Sequence, residues 1–102
     1  MRRSAVTGIG VVAPGGVTRD KFWEQITAGR TATRKITFFD PSGFRSQIAA
    51  EADFDPRAAG LSEQEIRRTD RYIQFALAAA IEAMNESGLD LERVDRDRMG
   101  VS

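Results

Sequence analysis

Residues 4–12, SAVTGIGVV, are short, rich in β-branched side chains and nearly free of charge, the pattern of a buried strand. Ala13-Pro14-Gly15-Gly16 ends it, because proline cannot donate to a ladder and the glycines permit a sharp turn. Thr18 is then placed to cap a helix running to about Ala28, with Val17 able to staple to Phe22 at the fourth helical position. Phe22, Trp23 and Ile26 form its apolar stripe and read as core, and Gly29 stands where a C-terminal cap belongs.

Residues 30–61 carry no long periodic segment. FFDPSGF is turn-like, and Gln47–Ala52 fits a short strand. So long a stretch without strong periodicity suggests loops crossing the surface of something larger. Ser62-Glu63-Gln64-Glu65 is a capping box that opens a second helical region. Ile66, Ile73, Leu77, Ala80, Ile81 and Met84 fall on one face of it, and Gly88 closes it. Thr69-Asp70 predict a break midway, and the alanines at 78–80 allow a neighbour to approach closely. The final RMGVS reads as the start of another strand. Such a set buries little apolar area, while each ordered residue costs about 1–2 kcal/mol of backbone entropy. The expectation is the leading piece of a larger α/β protein.

Composition narrows the chemistry. The 102 residues are 41% hydrophobic and 29% charged, as in a globular domain. There is no cysteine and no histidine, which excludes a disulfide framework, a cysteine nucleophile, a Cys/His zinc site and the commonest general base. No apolar run reaches the roughly 20 residues of a membrane helix, and no signal-peptide pattern follows the two N-terminal arginines, so the expected compartment is the cytoplasm. Charge is uneven: residues 1–50 hold eight basic side chains against three acidic, and residues 51–102 seven against twelve. Two differently charged faces explain this, since no nucleic-acid module accompanies the basic half.

Gly8-Ile9-Gly10-Val11-Val12-Ala13 satisfies the G-x-G-x-x-(G/A) spacing of a dinucleotide-binding turn. That fold begins its helix inside the motif, whereas here the helix cap comes only at Thr18. The acidic residue due about 20 positions later is also missing, because residues 30–37 contain no carboxylate. These glycines therefore read as structural, marking close backbone approach to another element.

VTGIGVVAPGG, FWEQITAGRTA, FFDPSGFRSQIAAEADFDP and RRTDRYIQFALAAAIEAMNESGLD, in this order, resemble the N-terminus of a β-ketoacyl synthase. The resemblance covers essentially residues 1–102 and is strongest to the ketosynthase (KSα) chain of bacterial type II aromatic polyketide synthases, chiefly through GRTATRKITFFDPSGFRSQIAAEADFDP. It implies an α/β, thiolase-like layered αβαβα fold, of which this chain supplies an incomplete N-terminal part. It also implies decarboxylative Claisen condensation of malonyl units onto a carrier-bound acyl chain. In the family, a cysteine holds the acyl group as a thioester, and two histidines and an oxyanion hole assist. All lie beyond the matched region, so no catalytic residue is carried over and the segment alone is expected to be inactive. No metal or dissociable cofactor is implied, since substrates ride on the phosphopantetheine of an acyl carrier protein. The other implied partner is a chain-length factor or a second ketosynthase chain, with no role for nucleic acid or membrane. A fatty-acid elongation ketosynthase and a non-catalytic docking fragment are the alternatives.

The resemblance carries over one candidate site. Arg67 and Arg68 match basic positions that contact the acidic carrier protein in fatty-acid ketosynthases, while Gln64 stands where that pattern has a further basic residue. The bland reading of the pair is two solvated charges matched with Glu63 or Glu65 along the helix. Arg30, Arg34 and Lys35 read as a solvated basic loop before a phosphate cluster. Asp40, Asp53 and Asp55 lack the pattern of a calcium loop and read as turn residues.

Overall fold

A computed structural model describes all 102 residues, Met1–Ser102. In chain order it contains α1 (Arg19–Thr27), β1 (Thr33–Lys35), β2 (Ile48–Ala50), α2 (Glu63–Arg68) and α3 (Arg71–Ser87), then one 3₁₀ turn at Arg96–Arg98. No helix is long and apolar enough to cross a membrane.

α3 is the spine. Its small residues admit the N-terminal segment: a Cβ on Gly10 would fall 1.7 Å from the Ala79 carbonyl oxygen, and one on Gly8 2.0 Å from that of Ala83. Residues two apart on an extended chain point to one side, and residues four apart on a helix share a face, so the two pairs match in period. The adjoining carboxylates complete the grip. Glu86 accepts from the Ile9 N–H at 2.7 Å and Glu82 from the Val11 N–H at 3.0 Å. Glu82 also accepts from the Arg19 N–H at 2.7 Å, and the Arg19 guanidinium pairs with Glu86, so the start of α1 hangs on the same two residues.

This arrangement corrects the strand expected over residues 4–12. No strand lies beside the segment, and the donors of Ile9 and Val11 go to carboxylates instead of a ladder. The strand expected at RMGVS is also absent, and no ladder forms at residues 99–102. The turn between residues 4–12 and α1 is as expected: Ala13 and Gly16 exchange N–H···O bonds of 2.9 and 3.0 Å around Pro14 and Gly15, whose φ is +78°. Proline at the first corner and a positive-φ glycine at the second are what a type II turn requires. Thr18 caps α1 through the Lys21 N–H at 3.3 Å. α1 buries nothing, however, and Trp23 and Ile26, expected in the core, stand 65% and 51% exposed because no element of this chain covers that face.

β1 pairs antiparallel with β2, with Thr33 opposite Ala50, Arg34 opposite Ala49 and Lys35 opposite Ile48. The capping box at α2 forms in both directions, Glu65 N–H to Ser62 Oγ at 3.2 Å and Ser62 N–H to Glu65 Oε2 at 2.7 Å. The break falls at Thr69 and Asp70, both extended, although Asp70 makes no side-chain cap bond. Gln74, buried, spans the break by donating to the carbonyls of Ile66 and Thr69 at 3.2 and 3.1 Å, which fixes α2 relative to α3. Gly88 ends α3 at φ +68°.

Only seven residues are buried, among them Ala52, Leu61 and Ala78, so the core is thin. The radius of gyration is 17.1 Å, against about 13 Å for a compact chain of this size. Of the layered αβαβα architecture, this chain contains helices and one two-stranded sheet, without the layers.

The Gly10–Ala79 approach yields a stability prediction. Gly10→Ala should lower stability by about 1–3 kcal/mol, as overpacking against a backbone atom does. Gly43→Ala, with nothing near its Cβ, should stay within about 0.5 kcal/mol of the parent. Urea unfolding midpoints compare the two; equal midpoints would contradict the close contact.

Candidate functional site

The end of the molecule that carries Arg67 and Arg68 is built by α2 and the first turn of α3. Arg67 and Arg68 occupy the last turn of α2, both exposed, where cations also suit the helix dipole. The Arg67 Nε donates to the Glu63 carbonyl at 3.3 Å. The Gln64 amide lies beside Arg68, and with its oxygen assigned to the side facing the guanidinium it accepts from both terminal nitrogens, at 3.1 and 3.2 Å. The residue that departs from the basic pattern therefore orients one of the arginines.

The expected pairing of these arginines with Glu63 or Glu65 does not form, because both carboxylates are taken. Arg57 holds Glu63 through two bonds of 2.5 and 3.1 Å, which raise the guanidinium's pKa further. Glu65 is held by the Ser62 N–H, and that hydrogen bond keeps its carboxyl below the usual range. Arg67 and Arg68 are left without an ion-pair partner.

One turn further on, Arg71 lies over three rings, with its guanidinium carbon 5.2, 5.9 and 5.0 Å from the centroids of Phe38, Phe54 and Phe75. It donates to the Ala52 carbonyl at 2.8 Å and has no carboxylate partner. Such a cation is fixed by ring faces and one carbonyl, with its charge unspent. Arg71 is not among the site residues expected from sequence, although an arginine four residues before Phe75 on a helix is a legible signal. Phe54 and Phe75 meet edge to face at 4.8 Å beneath it.

The strand pair supports this end from below. Glu51 is buried and accepts from the Thr37 N–H at 2.7 Å and the Thr37 hydroxyl at 2.9 Å. Arg34 grips Asp53 through two bonds of 2.8 and 2.6 Å, which hold the Asp53 carboxyl below its ordinary range. Arg34 is thus committed and does not pool with Arg30 and Lys35 as a phosphate cluster. Asp40 accepts from the Ser42 N–H and Asp55 from the Arg57 N–H, each within its own turn, whereas Asp53, expected as a turn residue, is held by Arg34 instead. No group of three potential metal ligands comes together anywhere in the chain.

The remaining motif and the largest hollow contain no reactive group. Gly8 and Gly10 face the α3 backbone, and α1 begins at Arg19, outside the motif, so nothing there is shaped around a phosphate. An open hollow of about 340 Å³ lies between Ile9, Val11, Phe22 and Trp23; its only charged residues, Arg19 and Asp20, pair with each other.

Residues 1–102 match the family described as "Beta-ketoacyl synthase, N-terminal domain" over their whole length. The chain belongs to the β-ketoacyl synthase family. A protein of Streptomyces halstedii named as a polyketide β-ketoacyl synthase 1 is 60% identical over 97% of this chain and 24% of its own length. The tetracenomycin polyketide synthase ketoacyl synthase alpha subunit of Streptomyces glaucescens is 50% identical over 99% of this chain and 24% of its own. In structure, the chain is similar to the ishigamide ketosynthase/chain length factor, with a TM-score of 0.71 and 32% identity, over 85% of this chain and 22% of that one. The ketosynthase segment thus spans about a quarter of the length of the relatives it matches.

The capping box gives the site a defined pH response. Glu65 has a depressed pKa in the fold, so its bond contributes fully above the ordinary Glu value of about 4.3 and is lost as pH falls through the lower folded value. An NMR titration should show the Ser62 amide proton losing its hydrogen-bonded shift only at a pH below the ordinary Glu range. Glu65→Ala should remove that shift at every pH. A Ser62 amide that does not titrate would contradict the assignment.

Proposed function

We propose that this segment is the N-terminal part of a polyketide ketosynthase of the KSα type, which extends acyl chains on a carrier protein by decarboxylative condensation with malonyl units. What carries the reading is the 60% identity, sustained over 97% of the chain, to a polyketide β-ketoacyl synthase 1. A 3-oxoacyl-[acyl-carrier-protein] synthase 2 of Coxiella burnetii is less similar, at 43% identity over 99% of the chain.

In this reading the chain contributes scaffold and dock. With no cysteine and no histidine among its 102 residues, it supplies neither the nucleophile that carries the thioester nor the histidines that assist decarboxylation. Those groups come from further polypeptide. The dock is Arg67 and Arg68: two exposed guanidiniums, unpaired, on a short helix whose angle Gln74 fixes. Charges placed this way speed encounter with an acidic partner and set its register. Their natural ligand is the acidic surface of an acyl carrier protein. A chain-length factor as second subunit is favoured by the likeness to the ishigamide ketosynthase/chain length factor.

In the complete ketosynthase, Arg67→Glu with Arg68→Glu should weaken carrier-protein binding by about tenfold or more at low salt, mainly through slower association. Stopped-flow or surface-binding kinetics measure this. Affinity unchanged at low salt would remove the dock from these residues.

A further inference from the structure

We propose that the 38–44 loop and Arg71 form the apolar half of the same dock, where the carrier protein seats an apolar side chain against Phe39 and Phe44 while its carboxylates meet Arg67, Arg68 and Arg71. The proposal rests on the carrier-protein reading above and names the part of the surface that would hold the partner after encounter.

Phe38, Phe39 and Phe44 stand 66, 54 and 61% exposed within seven residues of chain. Unlike the face with Trp23 and Ile26, this loop has an arginine seated on one of its rings, and aromatic side chains together with arginine are the composition of an interface core. The loop that presents them is ordered by its own bonds: the Phe44 N–H donates to the Pro41 carbonyl at 3.0 Å and the Ser42 N–H to Asp40 at 3.1 Å. Phe39 and Phe44 meet edge to face with centroids 5.7 Å apart. A patch already held in shape loses little freedom on binding.

Arg71 joins this patch to the basic pair. Its guanidinium sits on the Phe38 ring, and three residues of chain place its Cα within about 11 Å of that of Arg68. The aromatic loop and the arginines therefore fit one footprint of about 800 Å².

Charge decides the chemistry of the occupant. The carboxylates around the patch are spent on Arg57, Arg34, Thr37, Ser62 and Ser42, with Asp70 the exception, while Arg45, Arg67, Arg68 and Arg71 form no ion pair. Free cations beside open rings suit an acidic protein surface that exposes an apolar residue among its carboxylates. Single-stranded nucleic acid fits less well. It stacks on parallel platforms along a positive groove, but these two rings stand at 72° and Asp40 lies in the loop between them, ionised.

The test uses the complete ketosynthase and holo-acyl carrier protein, with association and dissociation followed at low and high salt. Phe39→Ser with Phe44→Ser should speed dissociation by about tenfold, with association changed less than about twofold and its salt dependence kept. Phe39→Leu with Phe44→Leu, which keeps the loop apolar, should recover most of the lost residence time and decides the matter if the serine pair lowers the melting midpoint. Parental dissociation in both loop variants, with association lost in Arg67→Glu/Arg68→Glu, would overturn the apolar half and leave the basic dock standing. No effect from either set removes the carrier reading and this proposal together. A short single-stranded oligonucleotide that displaces the carrier protein in a ring-dependent way would assign the surface to nucleic acid instead.

Discussion

The backbone of residues 8–10 lies against the carbonyls of Ala79 and Ala83 so closely that no side chain fits at Gly8 or Gly10. Most of the rest is placed from that contact. It brings the Ile9 and Val11 amides within reach of Glu86 and Glu82, and the same two carboxylates catch the backbone and side chain of Arg19 where α1 begins. A helix with larger residues at 79 and 83 would hold the segment further off, beyond the 2.7–3.0 Å of these bonds. Period matching, two along the chain and four along the helix, makes the grip specific in register as well as close.

From α3 the organisation passes to the charged end. Gln74, one turn into the helix, bonds back across the break to Ile66 and Thr69 and so sets the direction of α2. Arg71, at the first position of α3, reaches the other way, over Phe38 and Phe54 and onto the carbonyl of Ala52. Arg67 and Arg68 are therefore held on a fixed platform. Glu63 and Glu65 are used up in local bonds, which leaves the arginines free for a partner. For exposed ion pairs the gain to stability is small, so their effect here is to decide which charges stay unpaired.

Legibility followed the range of the determining interaction. The Pro14-Gly15 turn, the Thr18 cap, the capping box at Ser62, the break at Thr69-Asp70 and the Gly88 terminus could all be read in sequence, because each is fixed within a few residues. The structural role of Gly8 and Gly10 was legible too, as a close approach to some other element; that the element is α3, at Ala79 and Ala83, is visible only in the fold. Strands were not. Residues 4–12 have a strand's composition, but a strand exists only beside a partner, and here the donors found carboxylates. Thr33–Lys35 forms a real strand from three residues with no apolar pattern to reveal it. At the candidate site, Arg67 and Arg68 came from family resemblance. That they are free, and that Arg71 sits among rings, depends on side-chain partners distant in sequence.

The backbone contact between the N-terminal segment and α3 can be read directly by NMR. Nuclear Overhauser effects should connect the Gly10 Hα protons with Ala79 and the Gly8 Hα protons with Ala83, two pairs in the register the structure gives. Cross-peaks from Gly8 and Gly10 to other elements, or shifted by one turn along the helix, would contradict the account and displace everything built on α3.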